Sequence, residues 1–490
     1  MTSDAPQRPK ARAPRGFQDR RADALTAERR ILEAVSRVYE SYGFEPFDTG
    51  AFEYADALGK FLPDADRPNE GVFALQDDDE QWMALRYDLT APLARFVAEH
   101  GDGLPKPFRR YAYGPVWRNE KPGPGRYREF LQCDADTVGS DRPEADAEII
   151  AMAVEGYAAA GLPRSAYALK INNRKLLNGL LTAAGVDDAL QKLAVLRAVD
   201  KLDRLGPEGV TALLGAGRKD ESGAFTPGAG IGSAAIDAVL AFVQAGRDSR
   251  GATLDRIAEV IGGSPEGDEG LRELSRISEA LAGLGVGEDR ALFDPSIVRG
   301  LEYYTGAVFE AEFAVDVIGE RGEAVRFGSI GGGGRYDDLV ARFTGQRTPA
   351  TGFSFGVSRL AAAAAAAGGM AARARGPVVV IALEAGLMSE YFNLAGELRA
   401  AGIAAEVYLG ASGMRAQMKY ADRRLSPAAV IMGGDEIAAG AVTIKDLDAG
   451  RRLAESVADN QAWRDERPGQ ITTPRAELVA QVRRIVEAAG

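Results

Sequence analysis

The sequence predicts an α+β domain that is interrupted by a helical segment and followed by a smaller α/β domain. Strand and hairpin patterns fill residues 72–171 and return after residue 293. Helical patterns fill residues 174–286, and strands alternate with helices after residue 377. At 490 residues the chain is also too long for one hydrophobic core, so more than one domain is expected.

The first predicted element is a long amphipathic helix. Residues 17–42 carry apolar side chains at helical spacing, with arginines and glutamates on the opposite face, and Gly43 ends the pattern. Residues 1–16 are polar and basic and contain no apolar segment. We therefore expect a disordered arm there rather than a secretory signal.

Two hairpins are predicted next. VFAL and WMALRYDLT flank the acidic turn QDDDEQ, and KPFRRYAYGPVWRNE and YREFLQCDADTV flank a loop rich in proline and glycine. The acidic residues 77–80 could hold a metal ion, but a solvated turn is the favoured interpretation. ALKIN predicts a further strand before the helical segment begins.

The remaining elements complete the domain organisation. Strand patterns cover residues 293–313 and 327–355, and a helix begins at Val357. Residues 377–490 alternate between strands and helices, which predicts a small α/β domain with a largely parallel sheet. The predicted boundaries are an arm at 1–16, a first domain at 17–173 and 287–368, a helical insertion at 174–286, a linker at 369–376 and a C-terminal domain at 377–490.

The cysteine and histidine content excludes several kinds of site. Cys133 and His100 are the only residues of their types, so neither an internal disulfide nor a zinc site built from cysteines and histidines can form. His100 stands where a helix gives way to a turn, and a helix cap is the better interpretation than a catalytic base. Any chemistry must therefore depend on carboxylates, arginines and tyrosines, with or without a metal ion.

The net charge and the hydropathy pattern limit the classes of partner that the protein can bind. The net charge of −12 argues against a non-specific polyanion binder, although a local basic patch could still bind a specific RNA. The longest apolar run, residues 360–367, is far shorter than the ~20 residues that a membrane-spanning helix needs. We therefore expect a cytoplasmic protein that does not contact membranes.

The strand at residues 130–138 has one polar face. Because side chains alternate along a strand, Gln132, Asp134 and Asp136 share one face and small or apolar residues occupy the other. This pattern predicts a strand that packs on a core beneath a polar site, and an ordinary half-exposed strand remains the alternative. The predicted strand WMALRYDLT repeats this pattern, with Asp88 and Thr90 on one face.

Arginines stand at several predicted strand ends. Arg118 ends a strand, Arg126 follows the loop after it, and Arg299 lies beside two tyrosines in VRGLEYYTG. Arg359 falls in the first turn of a helix, where the helix dipole also favours anions. The planar guanidinium group binds phosphate through two parallel hydrogen bonds, so these positions suit phosphate binding. A surface ion pair is the alternative for each of them.

Together, these segments resemble the class II aminoacyl-tRNA synthetases, and specifically the histidyl-tRNA synthetase family. YGFEPFDTGAFE resembles the first class II motif, RNE through GRYREFLQCD the second, and GFSFGVSRL the third. VRGLEYYTG, GGGRYDDLV and LRYDLTAPL resemble segments of the histidine family. QMKYADRRLSPAAVIMGGDEIAAGAVTIKDL resembles its anticodon-binding domain. The resemblance covers residues 15–490 and is weakest in the helical insertion.

The resemblance implies a catalytic domain with a six-stranded antiparallel sheet, a homodimer, and Mg²⁺-dependent activation of L-histidine by ATP before transfer to tRNA(His). Asp136 and Tyr304 would bind the imidazole nitrogens, and Arg118 and Arg299 would bracket the reacting carboxylate and α-phosphate as catalytic residues. Asp88, Thr90 and Gln132 would bind the α-amino group. The full set carried over for histidine is Asp88, Leu89, Thr90, Arg118, Gln132, Asp136, Arg299, Tyr303 and Tyr304. The set carried over for ATP is Arg118, Glu120, Arg126 and Arg359.

A basic stripe supports a role for the C-terminal domain in tRNA binding. Arg415, Lys419 and Arg423 recur at every fourth residue of a predicted helix and so share one face. A solvated helix face is the alternative. Two other functions also remain open: a non-catalytic regulatory paralogue of ATP phosphoribosyltransferase, which typically lacks this domain, and a tRNA-binding module without activity.

Three positions depart from the family pattern. Glu302 stands where the family usually has aspartate, and Gly50 where the first motif usually has proline. Ser358 replaces an acidic residue before Arg359.

Overall fold

The computed structural model describes residues 10–61, 71–123, 126–219, 223–261, 263–298, 303–313, 317–318, 324–325, 328–366, 375–456 and 469–488. The chain forms two compact units, Met1–Ala371 and Ala372–Gly490.

The helices of the first unit are α1 Asp23–Ser41, α2 Thr90–His100, α3 Pro143–Ala159, α4 Arg174–Ala183, α5 Ala189–Val199, α6 Leu202–Leu214, α7 Ser233–Val243, α8 Arg250–Ile261, α9 Pro265–Gly283, α10 Ala341–Thr344 and α11 Val357–Ala366.

The strands of the first unit form one large sheet and three small ones. In chain order they are β1 Glu45–Pro46, β2 Phe52–Tyr54, β3 Ala74–Gln76, β4 Trp82–Leu85, β5 Phe108–Trp117, β6 Glu129–Val138, β7 Tyr167–Asn173, β8 Gly217–Lys219, β9 Phe225–Pro227, β10 Ala291–Phe293, β11 Ala307–Phe313, β12 Val317–Ile318, β13 Ala324–Val325, β14 Gly328–Arg335 and β15 Ala350–Gly356.

The large sheet has eight strands in the order β1-β5-β6-β15-β14-β11-β7-β10. The six central strands are antiparallel to their neighbours, as expected from the sequence. The expected count of six was too low, because β1 and β10 pair in parallel with the two outer strands. Both added strands are only two or three residues long, and strands that short leave little periodic signal.

Helix α1 packs its predicted apolar face on the sheet. Ile31, Val35 and Tyr39 are fully buried, and the chain leaves the helix through Gly43, whose φ is +79°. Glu28 lies on the same face and is also buried. Its Oε1 accepts a hydrogen bond from Ser358 at 2.6 Å, and its carboxylate pairs with Arg20 at 2.9 Å.

The first predicted hairpin is confirmed, but its second strand is shorter than expected. Strand β4 pairs with β2 and β3 and ends at Leu85. Thr90 therefore begins α2 instead of continuing a strand, and the expectation that Asp88 and Thr90 share a strand face was wrong. The Asp88 Oδ1 atom accepts hydrogen bonds from the backbone N–H groups of Thr90 and Ala91, at 3.1 and 2.9 Å. Side-chain acceptors of this kind favour the start of a helix.

The acidic residues between β3 and β4 form a turn, as favoured from the sequence. Asp77 Oδ1 accepts hydrogen bonds from the backbone N–H groups of Asp79 and Gln81, at 3.0 and 2.8 Å.

One hydrophobic core lies beneath the large sheet. Helix α3 supplies a nearly continuous buried surface, and α4 to α9 add side chains such as Leu176, Phe242 and Ile277 to the same cluster. The segment 174–286 is thus mostly helical, as expected, with one short hairpin of β8 and β9 that was not predicted.

The second unit has a mixed five-stranded sheet. Its strands are β16 Val378–Ile381, β17 Ala405–Val407, β18 Ala428–Ile431, β19 Ala441–Asp446 and β20 Gln470–Pro474, and its helices are α12 Met388–Ala400, α13 Met414–Arg423, α14 Gly434–Ala438, α15 Leu447–Ser456 and α16 Leu478–Ala488. Strand β16 is parallel to β17 and β18, whereas β19 is antiparallel to β18 and β20. The expectation of a largely parallel sheet was therefore only half right. Residues 432–440 are too few for the crossover that a parallel β19 would need.

Helix α13 presents the predicted basic stripe to solvent. Arg415, Lys419 and Arg423 are exposed, whereas Gln417 and Ala421 on the opposite side are buried. The Gln417 amide fixes the helix, since it exchanges hydrogen bonds with the backbone of Ala382 at 2.6 and 2.8 Å. Within the described ranges, no helix combines the length and the apolar character that crossing a membrane requires.

A buried ion pair joins the end of β14 to the start of α3. The Arg335 guanidinium donates to Asp146 Oδ2 at 2.7 and 3.0 Å, and to the carbonyl oxygens of Ser140 and Arg142 at 2.9 and 3.0 Å. Both side chains are about 95% or more buried, with relative exposures of 5% and 2%. Asp337 also lies 3.5 Å from the Arg335 guanidinium, so loss of Asp146 would leave the buried Arg335 charge only partly compensated.

We predict that Asp146→Asn lowers the free energy of unfolding by about 3 kcal/mol, because the Arg335 charge loses its nearer counter-ion and keeps only Asp337, which lies 3.5 Å away. The matched control is Glu144→Gln, which breaks the exposed pair between Glu144 and Arg276 and should cost less than about 1 kcal/mol. Urea denaturation of the three proteins measures both differences. Equal costs for the two variants would contradict the prediction.

Candidate active site

A cavity of about 580 Å³ lies on the face of the large sheet opposite α3. Its floor is formed by the central strands, and its walls come from the start of α2, the loop after β5 and the segment before β11. Ten of the predicted site residues line it: Asp88, Thr90, Arg118, Glu120, Arg126, Gln132, Asp136, Tyr303, Tyr304 and Arg359. Sequence-distant segments therefore converge on one site.

One predicted residue is placed differently, and another lies outside the described residues. Leu89 does not line the cavity; its side chain packs with Ala112 and Val116, and only its carbonyl oxygen bonds toward the site, to Arg110 at 2.8 Å. Arg299 lies outside the described residues, as do Gly300 and Glu302, so its role remains a prediction.

The floor of the cavity is the polar face of β6. Gln132, Asp134 and Asp136 all line the cavity, whereas Cys133 and Ala135 are fully buried in the core on the other side. Strand β15 opposite Asp136 carries Gly352, and a Cβ atom there would lie 1.9 Å from Asp136 Oδ1. A side chain at that position would therefore displace the Asp136 carboxylate.

Asp136 is held by two groups that the sequence analysis did not single out. Arg110, which has no exposed surface, pairs with Asp136 Oδ2 at 2.8 Å, and the Tyr336 hydroxyl donates to Oδ1. Burial raises the pKa of Asp136, while Arg110 and the Tyr336 hydrogen bond oppose that rise. The carboxylate is thus fixed in place and still has lone pairs to accept a hydrogen bond from a ligand.

Tyrosines form one wall of the cavity. The Tyr303 hydroxyl donates to the Tyr304 hydroxyl at 3.1 Å, and the two ring centroids lie 4.4 Å apart. Burial raises the pKa of Tyr304, so the phenol stays protonated. Because Tyr304 accepts from Tyr303, its own hydrogen can be donated to a ligand.

Asp134 was not among the predicted site residues. It lines the cavity between Gln132 and Asp136 and is only 2% exposed. Burial, with the neighbouring charge of Asp136, raises the pKa of Asp134 to about 8. The alternation along β6 already placed it on the polar face, which was the signal that could have identified it.

The arginine end of the cavity lies near the loop after β5. The Arg118 Nε atom donates to the Tyr87 carbonyl at 3.1 Å, and its guanidinium lies 5.1 Å from the Phe130 ring centroid. These contacts fix the plane of the guanidinium. Glu120 and Arg126 are exposed at the rim, and Arg359 lines the cavity from the start of α11.

The structure accounts for Ser358, one of the three departures. The Ser358 hydroxyl donates to the buried Glu28 carboxylate and accepts from the backbone N–H of Leu131 at 3.0 Å. Helix α1 thus supplies a carboxylate next to the position where an acidic residue is expected. Nothing in the structure explains Gly50.

Two family models match the chain. One, described as histidyl-tRNA synthetase, matches residues 16–360, and the other, described as an anticodon binding domain, matches residues 377–465. The first match alone spans more than half of the chain.

Relatives and solved structures agree with these matches. A histidine–tRNA ligase of Caulobacter vibrioides is 73% identical, and the alignment covers 99% of this chain and 100% of the relative. A histidine–tRNA ligase of Cereibacter sphaeroides is 53% identical, with 98% of each chain covered. The crystal structure of histidyl-tRNA synthetase from Nostoc sp. PCC 7120 aligns with a TM-score of 0.74 and 28% identity over 97% of this chain and 100% of that one. The chain therefore belongs to the histidyl-tRNA synthetase family.

Proposed function

We propose that the chain activates L-histidine with ATP to form histidyl-adenylate and then transfers the histidyl group to the 3′ end of tRNA(His). The observation that carries this proposal is the placement of a carboxylate and tyrosine pocket beside three arginines in one cavity. The 73% identity to a histidine–tRNA ligase over the whole chain supports it. No observation favours a regulatory paralogue or an inactive tRNA-binding module.

The first half-reaction needs positioning more than proton transfer. The histidine carboxylate, already ionised, attacks the α-phosphorus of ATP, and pyrophosphate leaves. Negative charge builds on the phosphoryl oxygens, where preorganised cations stabilise it. Arg118 is suited to this task because its guanidinium is held in a fixed plane. In the second half-reaction a ribose hydroxyl of tRNA attacks the activated carbonyl carbon, and AMP leaves.

The carboxylate and tyrosine end suits histidine. Asp136 accepts a hydrogen bond from one imidazole nitrogen, and Tyr304 donates to the other. Asp88, Thr90 and Gln132 bind the α-amino group. Burial raises the pKa of Asp88, and a bound ammonium group offsets that cost by supplying a counter-charge.

The arginine end suits ATP. Arg126 and Arg359 bind phosphate groups with Arg118, and Arg299 completes the set. Glu120 fits a Mg²⁺ ion that arrives with ATP, because Mg²⁺ commonly takes one or two carboxylates together with substrate phosphates. The ion would neutralise phosphate charge.

We extend the proposal to the whole chain. Residues 17–173 and 287–368 form the catalytic domain, 174–286 an insertion, and 377–490 the anticodon-binding domain after a linker at 369–376, most of which lies outside the described residues. The chain acts as a homodimer in the cytoplasm, and the presence of a single cysteine agrees with a reducing compartment.

The decisive experiment is ATP–pyrophosphate exchange with each of the twenty amino acids. We expect exchange with histidine alone. Exchange with another amino acid, or none at all from folded protein, would overturn the proposal.

We predict that Tyr304→Phe raises the KM for histidine about 10-fold and leaves the KM for ATP unchanged, because the hydrogen bond to the imidazole is lost together with the one that Tyr304 accepts from Tyr303. Tyr157→Phe is the matched control, since it removes a hydroxyl that is buried on the core side of the sheet. Steady-state exchange measures both constants. A rise in both KM values would indicate a general disturbance of the cavity instead.

We predict that Arg299→Ala lowers the kcat of exchange by about 10²–10³, the usual cost of removing one preorganised charge contact in a transition state. Arg299→Lys should recover only part of the loss, because an ammonium group lacks the planar fork. Melting temperatures are measured on the same preparations. A lower melting temperature with an unchanged exchange rate would show that Arg299 serves folding only.

We predict that the triple variant Arg415→Ala, Lys419→Ala, Arg423→Ala weakens tRNA binding and makes it less dependent on salt, by about one unit of log–log slope for each lost phosphate contact. Adenylate formation should continue, because it does not involve tRNA. The control is Arg483→Ala with Arg484→Ala, which removes exposed arginines from α16. Equal losses in the two variants would contradict a specific role for the stripe.

A further inference from the structure

We propose that Ser354 and Asp134 form a hydrogen-bond relay that orients the Gln132 amide with its oxygen toward the cavity, where it accepts from the α-amino group of histidine. Ser354 is thus a positioning residue that acts through Gln132, and Asp134 both holds Ser354 and offers an acceptor to the same amino group. This inference rests on the proposed function, because it needs histidine in the cavity.

The three side chains are adjacent on one face of the sheet. Asp134 on β6 is directly opposite Ser354 on β15, and Gln132 is two residues before Asp134 on the same face. The Gln132 Nε2 atom donates to Ser354 Oγ at 2.8 Å. The Ser354 hydroxyl faces Asp134 across the strand pair and opposes the rise in the pKa of the Asp134 carboxyl group, as a hydrogen bond donated to that group does. All three line the cavity.

The direction of the relay follows from the number of hydrogens. A serine hydroxyl has one hydrogen, and an ionised carboxylate can only accept. When Asp134 is ionised, Ser354 must therefore donate to it and accept from its other neighbour, Gln132. The Gln132 amide can satisfy this only with its nitrogen toward Ser354. Its oxygen then points away, toward the ligand.

Two buried oxygen atoms beside the relay accept no hydrogen bond from the part of the chain that the structure describes, and a cationic group with N–H donors could bind to both. Gln132 Oε1 and Asp134 Oδ1 are buried and accept no hydrogen bond from the described residues. Gln132 is 8% exposed and Asp134 is 2% exposed, so water replaces these bonds poorly. An α-ammonium group has three N–H donors and a positive charge. Two acceptors, one of them a carboxyl group, match that chemistry.

Substrate binding and the relay reinforce one another. In the empty cavity, burial raises the pKa of Asp134 to about 8. A positive charge nearby favours the ionised carboxylate. Because the ionised carboxylate is the form that directs the relay, a bound ammonium group stabilises the orientation of Gln132 that binds it.

The test begins with Ser354→Ala, assayed by ATP–pyrophosphate exchange. Without the hydroxyl, the Gln132 amide can rotate and present nitrogen to the ammonium group. We expect the KM for histidine to rise about 10-fold, the usual cost of one lost hydrogen bond to a charged group, while the KM for ATP stays constant. Asp134→Asn should act in the same direction, because the new amide can donate to Ser354 and reverse the relay.

The sharpest readout is a ligand without the α-amino group. We expect the inhibition constant of 3-(imidazol-4-yl)propionate to be the same for the wild type, Ser354→Ala and Asp134→Asn, because this analogue has no group for Gln132 to bind. Thr137→Val is the matched control. Thr137 carries a buried hydroxyl on the opposite face of β6, so its loss should leave the KM for histidine unchanged.

Each outcome decides between the alternatives. Equal weakening of histidine and the analogue, or an unchanged KM for histidine in both relay variants, overturns the relay. If Ser354→Ala does not fold, Ser354→Cys, which keeps the shape of the side chain but is a much weaker hydrogen-bond donor, takes its place. Failure of the wild type to exchange with histidine would overturn the proposed function instead, so the two failures are distinguishable.

Discussion

The first unit is organised around the burial of three polar side chains on β6. Gln132, Asp134 and Asp136 lie at the centre of the sheet, and removing such groups from water is costly unless hydrogen bonds replace those to water. Neighbouring strands supply some of these bonds: Arg110 from β5, Ser354 from β15, and Tyr336 just after β14. Gln132 Oε1 and Asp134 Oδ1 accept no hydrogen bond within the described residues, and both side chains line the cavity.

The rigidity of the site has its origin on the other face of the same strand. Cys133 and Ala135 have no exposed surface and pack on the core beneath the sheet. The Ser358 contact fixes the edge of the cavity by linking α1, β6 and α11 through Glu28 and the backbone of Leu131. A polar floor on a close-packed base keeps donors and acceptors in place before the ligand arrives, which is what electrostatic preorganisation requires.

Local patterns predicted the parts of the molecule that depend on periodicity alone. The alternation of β6 placed Gln132 and Asp136 correctly, and the apolar face of α1 was correct at Ile31 and Val35. The features that could not be predicted depend on the register between strands or on the burial of a charged side chain. Arg110 and Tyr336 meet Asp136 only once the four strands β5, β6, β15 and β14 are in register, and Glu28 is a charged residue on an otherwise apolar helix face. Likewise, the length of a connection, and not the pattern of β19 itself, determined the direction of that strand.

The single cysteine has a practical consequence. Cys133 lies between two residues that line the cavity, yet its side chain is fully buried, and burial raises the pKa of its thiol. The thiolate is the reactive form, so alkylating reagents reach this sulfur only when the central sheet opens. The rate of alkylation is therefore an intrinsic reporter of opening at the catalytic centre. Because Cys133 is protected, a thiol-reactive spectroscopic label would attach only to a cysteine introduced on the surface. Cys133 itself would not have to be replaced first.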